Sequence, residues 1–411
     1  MRNEKRSLDE LINYQSQLLV KLINHAYNTV PFYRKLYKDC GLTPNDIKSI
    51  EDISKIPLID KKVMVEKSYD DLISGMYKKK NLIPIKTAGS NGMPFLFYID
   101  YPFDQFRKAQ CLRPYLTNGQ RLWDHSIIFS VHSSTKKKWH QHLGLINETY
   151  IHPGLAVDKQ IKIIRNKKPA VIRGYGSVLN LLSIKITEEN ISQLKPRLIF
   201  TDSELLMPES RENIKNAFNA DVIDIYGTFE TDNIAYECHH HEGYHMAIDS
   251  VIMEFTNDGN SVKSNEEGEI VVTVLNNFAM PFIRYNLHDI GSYSGKSCSC
   301  GRTLPLMNSI KGRVNDYMVT DDGRRLSYTT IAYFDKLAPN VREYQIVQED
   351  LNIFKVFVVP GLEYNYHGEN IIATAIKKFF PSAEITVSIV PKIEREPSGK
   401  LRAFKSKVST I

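Results

Sequence analysis

The sequence predicts an α/β protein of two domains. A large domain carries parallel α/β sheets plus a β-barrel-like section, and a small α+β domain follows it. Three observations predict this. Through the middle of the chain, apolar runs of strand length alternate with segments of helix length, the pattern of parallel strands joined by helices. Later strand-like runs follow one another without helices, as antiparallel sheet allows. The pattern then changes again after Gly312-Arg313, and 411 residues exceed one ordinary core. The boundary is set there, giving residues 1–312 and 313–411.

The elements follow in order. To about residue 82 the chain reads as helices with short breaks, with Leu8, Leu11, Ile12, Leu18, Leu19, Leu22 and Ile23 at helical spacing. Pro31-Phe32-Tyr33 ends one helix and starts another. Strands are expected at 126–131, 170–173, 197–200 and 222–225, with helices at 178–186 and 209–218. The strand-like runs at 245–248, 251–255 and 269–274 form the antiparallel section. The small domain has strands at 342–348, 353–359 and 385–390, a helix at 371–380, and a polar tail from 394.

Composition narrows the class. Hydrophobic content of 42% with 24% charged residues is that of a soluble globular chain. No apolar stretch is long enough to span a bilayer. The N-terminus lacks the apolar core of a secretory signal, so a cytoplasmic location is expected. A net charge of +6 suits an anionic substrate without demanding nucleic acid. Five cysteines, an odd count, argue against a disulfide framework. Cys40 and Cys111 read as small core residues.

Four motifs carry chemistry. Thr87-Ala88-Gly89-Ser90-Asn91-Gly92-Met93-Pro94 follows an apolar run, and such loops offer backbone N–H groups to phosphate oxygens. It lacks the Gly-Lys-Ser/Thr ending of a Walker loop. Tyr226-Gly227-Thr228-Phe229-Glu230 follows a strand at its C-terminal end, where α/β sheets bind ligands. There Tyr226 offers a face to a purine, Thr228 a hydroxyl to phosphate, and Glu230 a hard oxygen to Mg2+. A carboxylate such as Asp289 can accept hydrogen bonds from both hydroxyls of a ribose. Lys400 lies in a Pro-Ser-Gly-Lys loop near the C-terminus.

In this order the motifs resemble the adenylate-forming superfamily, which includes acyl-CoA synthetases, luciferases and peptide-synthetase adenylation domains. The resemblance is nearest to the phenylacetate–CoA ligase branch and its capsule-biosynthesis relatives. It rests also on 28–33, 58–61, Phe200-Thr201-Asp202-Ser203-Glu204 and Cys298-Ser299-Cys300-Gly301-Arg302, and runs from about residue 20 to 405. It implies that ATP and a small-molecule carboxylic acid give an acyl-adenylate, which passes to a thiol, most simply coenzyme A. By this resemblance Thr87, Gly89, Ser90, Asn91 and Gly92 hold phosphates. Ser203, Glu204, Tyr226 and Gly227 line the adenine site, Asp289 and Arg313 complete the nucleotide site, and Glu230 helps bind Mg2+. Lys400 brings positive charge to the reacting oxygens, and rotation near Asn315-Asp316 gates the half-reactions.

Met93 stands where relatives usually carry Lys, Phe229 where they carry Thr, and Asn286-Leu287-His288 where Arg-Thr-Gly is common. Two further readings therefore stay open. One is an adenylating enzyme or AMP transferase with another acceptor in polysaccharide or cofactor biosynthesis. The other is a non-catalytic nucleotide-binding relative. Phe129, His132, Trp139, Tyr175 and Ser177 are candidates for the acid pocket by position. Cys238, His245, Cys298 and Cys300 form a three-thiolate, one-imidazole set suited to structural Zn2+. A homodimer is the expected assembly if the chain self-associates.

Overall fold

A computed structural model of the chain describes residues 2–87, 95–131, 139–192, 194–308, 310–313, 317–321, 325–327, 341–361, 364, 367–396 and 399–408. It divides into two compact units, Met1–Gln120 with Ile225–Ile310, and Arg121–Asp224 with Lys311–Ile411. Each unit is thus built from two separate stretches of chain.

The first unit opens with the helix Leu8–Thr29. The Ser7 hydroxyl accepts from the Glu10 N–H and the Glu10 carboxylate accepts from the Ser7 N–H, which satisfies two end donors reciprocally. Leu11, Leu19, Leu22, Ile23 and Ala26 bury one face of the helix, while Leu8 at its start is exposed. Pro31 then starts the helix Pro31–Asp39, because a residue at the first helical position needs no N–H partner. Tyr33 from this helix donates its hydroxyl to the Pro281 carbonyl at 2.8 Å and accepts from the Ile283 N–H at 3.1 Å. Cys40 caps that helix and is exposed, not a core residue, and Cys111 is half-buried.

One sheet of this unit runs in the order Ile59–Asp60, Tyr285–Gly291, Gly268–Val274, Val251–Asn257, Asn260–Ser261. Its first pair is parallel and the rest antiparallel. A second antiparallel run joins Leu306–Met307, Tyr244–Met246, Asp232–Tyr236 and residues 225–228. Tyr244–Met246, Val251–Asn257 and Gly268–Val274 are the strands expected without intervening helices; the others in these runs, the end of the strand expected at 222–225 aside, were not predicted. The hairpin of Ile83–Lys86 with Leu96–Ile99 brackets residues 88–94.

The second unit contains the parallel strands in the order Asn147–Ile151, His125–Phe129, Val171–Gly174, Leu198–Asp202. Helices Val157–Lys167, Gly176–Glu188 and Pro208–Phe218 lie between or after them in sequence. Their apolar faces meet in a core that includes Ile127, Ile172, Leu179, Leu182, Ile199, Ile214 and Phe218. This is the α/β pattern the alternating runs predicted. The strand Asn147–Ile151 and the helix Val157–Lys167 add to it.

The rest of this unit is a four-stranded sheet ordered Glu384–Ile389, Ile353–Pro360, Val341–Asp350, Phe404–Ser406, with the helix His367–Lys377. Phe354, Val356, Val358, Ile372, Ile376, Phe380 and Phe404 form its core, against which Leu205 and Met207 also pack. The polar tail is therefore not all loop. Phe404 is buried, and its strand pairs in parallel with Val341–Asp350. Only one apolar residue in three marks that strand, too little for periodicity to reveal.

Candidate active site

The strand Asp221–Thr228, which enters the first unit at Ile225, ends in the Tyr-Gly turn. Register shifts between Tyr226 and Gly227, so the strand bulges there. A Cβ on Gly227 would lie 2.0 Å from the Asp232 carbonyl oxygen, which restricts this position to glycine. Arg107, from the helix Tyr101–Thr117, pins the turn from outside. Its guanidinium forms a two-pronged pair with Asp232 and donates to the Phe229 carbonyl at 3.3 Å. Asp232 sits at φ 56°, a left-handed conformation that the ion pair helps hold. Thr228 turns its hydroxyl toward that of Thr231, 3.1 Å away. Phe229 is 41% exposed.

The turn meets the third predicted motif, Asp289, directly. The Tyr226 hydroxyl donates to the Asp289 carboxylate at 2.8 Å, joining side chains 63 positions apart. Asp289 is buried near the end of the strand Tyr285–Gly291. Arg284 anchors the start of that strand: it pairs with Glu254 at 3.0 Å and donates to the carbonyls of Ser54, Ile56 and Gly259. Glu230 is buried. Burial, then the Glu230 and Asp60 carboxylates, push the Tyr285 phenol far above its ordinary range. Glu230 and Tyr285 are therefore neighbours. Beside Asp289, His288 lies 3.2 Å from both Glu269 and Asp60.

Thr87 is buried at the mouth of the expected phosphate loop. Its hydroxyl accepts from the Phe95 N–H at 2.9 Å and its N–H donates to the Phe95 carbonyl at 2.8 Å, closing the loop's base. Gly89, Ser90, Asn91, Gly92 and Met93 lie outside the described residues, as do His132, Asn315 and Asp316.

In the second unit Lys400 is half-buried in a tight turn, where the Gly399 N–H donates to the Glu396 carbonyl at 2.7 Å and the Glu396 N–H to the Lys400 carbonyl at 3.0 Å. Burial raises the Asp202 carboxyl, while Ser203, Lys400 and Arg173 draw it back, so Asp202 shares the field of Lys400. Ser203 is exposed at φ 70°. The Glu204 carboxylate accepts from the backbone N–H groups of Ser177 and Leu401. Arg313 is half-buried in the short strand Gly312–Arg313. Phe129 and Tyr175 are buried, Ser177 is half-buried, and Trp139 is 75% exposed.

The four predicted metal ligands of the first unit come together. Cys238 Sγ is 3.6 Å from Cys298 Sγ, and Cys300 Sγ is 3.4 Å from His245 Nε2. All four candidate ligand atoms lie within 4.8 Å of one another, and the cysteines are free thiols. Zinc–sulfur bonds of about 2.3 Å in a tetrahedron give sulfur–sulfur edges of roughly 3.8 Å, so the set has the size of a closed zinc site. His245 is held down to about 4 by burial first and by Arg302 next, which keeps its imidazole in the neutral, ligating form. Arg302 donates to the Thr117 carbonyl and approaches Cys300 Sγ at 3.6 Å. Ser299 bonds to Glu242 through both its N–H and its hydroxyl, which pins the Cys-Ser-Cys loop.

Sequence reading missed Arg107, Tyr285 and Asp202. Asp202 was within reach, since it sits inside the Phe-Thr-Asp-Ser-Glu motif two positions past a predicted strand. Arg107 reaches Asp232, and Tyr285 reaches Glu230, only through long-range packing.

Solved structures with this fold exist. A 2-hydroxyisobutyryl-CoA ligase in the postadenylation state, in complex with 2-HIB-AMP, aligns with a TM-score of 0.83 at 19% identity, over 99% of this chain and 91% of that one. The chain has the adenylate-forming ligase fold. Within this fold its residues 318–407 match the CapK C-terminal domain family. A phenylacetate-coenzyme A ligase of Aromatoleum evansii is 26% identical, over 97% of this chain and 95% of that protein. Protein CapK of Staphylococcus aureus is 23% identical, over 97% and 89%.

Proposed function

We propose that this chain activates a carboxylic acid with ATP to an acyl-adenylate and transfers the acyl group to a thiol, coenzyme A in the simplest case. The observation that carries the reading is the hydrogen bond from Tyr226 to Asp289. It unites the aromatic face for adenine and the carboxylate for ribose in one buried pair at the end of a strand. The names of the relatives agree with it: a phenylacetate-coenzyme A ligase, and a CoA ligase holding an acyl-adenylate.

In this reading the acid's carboxylate oxygen attacks the α-phosphorus and pyrophosphate leaves. The thiol then attacks the acyl carbon and AMP leaves. The first step is mostly positioning and charge stabilisation. The backbone of 87–92 holds phosphate oxygens and Thr228 adds a hydroxyl. The Tyr226 ring offers its face to adenine, and Asp289 takes the ribose. Lys400 sets its charge against oxygens that become more negative in the transition state. The Glu230 carboxylate, a buried hard oxygen, suits Mg2+, which supplies charge neutralisation of the phosphates when bound. Arg313 stands at the start of the small C-terminal domain, taken as 313–411, which carries Lys400. The four-ligand cluster fits structural Zn2+ by its sulfur–sulfur spacing and neutral histidine. No helix among the described residues is long and apolar enough to cross a membrane.

A second reading keeps the first step and passes the acyl group to an acceptor other than coenzyme A. ATP–pyrophosphate exchange with a panel of carboxylic acids tests the shared first step. One acid class is expected to support exchange, and Lys400→Ala to lower it about 10²–10³-fold, as for loss of one transition-state donor. Absence of exchange with every acid, in a protein that also fails to bind ATP, would refute the adenylating function. Exchange without thioester formation would select the second reading.

A further inference from the structure

We propose that Glu204 is a latch that holds the Lys400 loop in position for adenylation. The inference rests on the role given above to Lys400, and assigns Glu204 as a positioning residue for it.

The latch begins at an unfilled cap. The helix Gly176–Glu188 starts at Tyr175, which supplies no side-chain cap, so its first-turn N–H groups need acceptors from elsewhere. Glu204, which follows the strand Leu198–Asp202, provides one. Its Oε2 accepts from the Ser177 N–H at 3.0 Å. Its Oε1 accepts from the Leu401 N–H at 2.6 Å, across 197 positions of sequence. One carboxylate therefore ties a helix N-terminus to the amide that directly follows Lys400. Negative charge is favoured at a helix N-terminus, and bonds from N–H to carboxylate are stronger than neutral ones.

A second tie holds the other side of the loop. Arg395 donates from Nη1 to the Ser177 hydroxyl at 2.7 Å and to the Gly399 carbonyl at 3.3 Å, and from Nη2 to Glu343 at 2.5 Å. Gly399 itself, at φ 83°, is seated so closely that a Cβ would lie 2.7 Å from Pro153 and 3.0 Å from Val131. Lys400 is thus clamped between a seated glycine and a bonded amide. Withdrawal from water pushes the Glu204 carboxyl up, and the two N–H groups and Arg395 offset this. Loss of the Leu401 N–H leaves a desolvated charge with one partner fewer, a costly state. A cavity of about 100 Å³ bordered by Ser177, Glu204, Arg342, Glu343 and Leu401 adjoins the carboxylate. It has room for water to replace that bond, which makes the latch reversible.

The test compares the full chain with its Glu204→Gln variant. Backbone hydrogen exchange is expected to accelerate about tenfold or more at Leu401 and Ser177, as for one charge-assisted hydrogen bond, with strand 198–202 unchanged. Pyrophosphate exchange is expected to fall about tenfold, and thioester formation from supplied acyl-adenylate to fall far less. Unchanged protection at Leu401, or an equal fall in both half-reactions, would overturn the latch. If Glu204→Gln does not fold, Leu401→Pro removes the donor from the other side and must reproduce the same split. A wild-type protein inert with every acid would defeat the proposed function, while protection at Leu401 would still decide whether Glu204 holds the loop.

Discussion

His288 shows what a single residue contributes beside the candidate site. It takes a left-handed backbone, φ 56°, that glycine adopts without strain. The sequence shows the residue but not its partners, because Asp60 lies 228 positions away. Its pKa is raised, by the hydrogen bond to Glu269 first; burial opposes this, and the bond to Asp60 and the charges of both carboxylates add to the rise. The sign follows from linkage: stability from this group is complete below its ordinary value of 6.5 and is lost as pH rises through the raised folded value. The melting temperature of His288→Gln should therefore fall below wild type near pH 6 and approach it near pH 9, with a modest gap because the imidazole is 43% exposed. A gap independent of pH would remove the charged pairing. Tyr226 and Asp289 were each legible as residue types in motifs. Their hydrogen bond was not.

At the scale of elements, local pattern was most informative. Helical spacing and the Pro31 signal place the first two helices, and β-rich runs place the parallel strands, because burial of one face repeats with the period of the element. The pattern is silent where an element is short or mostly polar, as at Phe404–Ser406. The Tyr-Gly turn is the element on which the site depends most. Gly227 is required by the approach of the Asp232 carbonyl, and the strand bulges to present Tyr226. Gly227→Ala should cost roughly 1–3 kcal/mol or more, as an overpacked position does. Denaturant unfolding measures that loss. The same variant should bind ATP more weakly, since Tyr226 moves with the turn. A stable Gly227→Ala protein with full ATP affinity would show that the turn can yield without cost.

The whole molecule is assembled from interleaved stretches, since residues 1–120 join 225–310 and residues 121–224 join 311–411. The cysteine–histidine cluster links parts of the first unit that local structure leaves separate, the hairpin carrying Cys238 and His245 and the loop carrying Cys298 and Cys300. One zinc per chain is expected by elemental analysis of purified protein. A strong chelator should lower the melting temperature, because metal-binding free energy adds to folding free energy. Protein without zinc and insensitive to chelator would leave the cluster as four packed side chains. By itself the sequence determined the element types, the order of the motifs and the residue chemistry available to them, since these depend on neighbours within a few positions. Only the tertiary structure decided which groups meet: Tyr226 with Asp289, the four ligating side chains, and Glu204 with Leu401. Those contacts join residues 63, 55 and 197 positions apart, and long-range packing sets them, not local propensity.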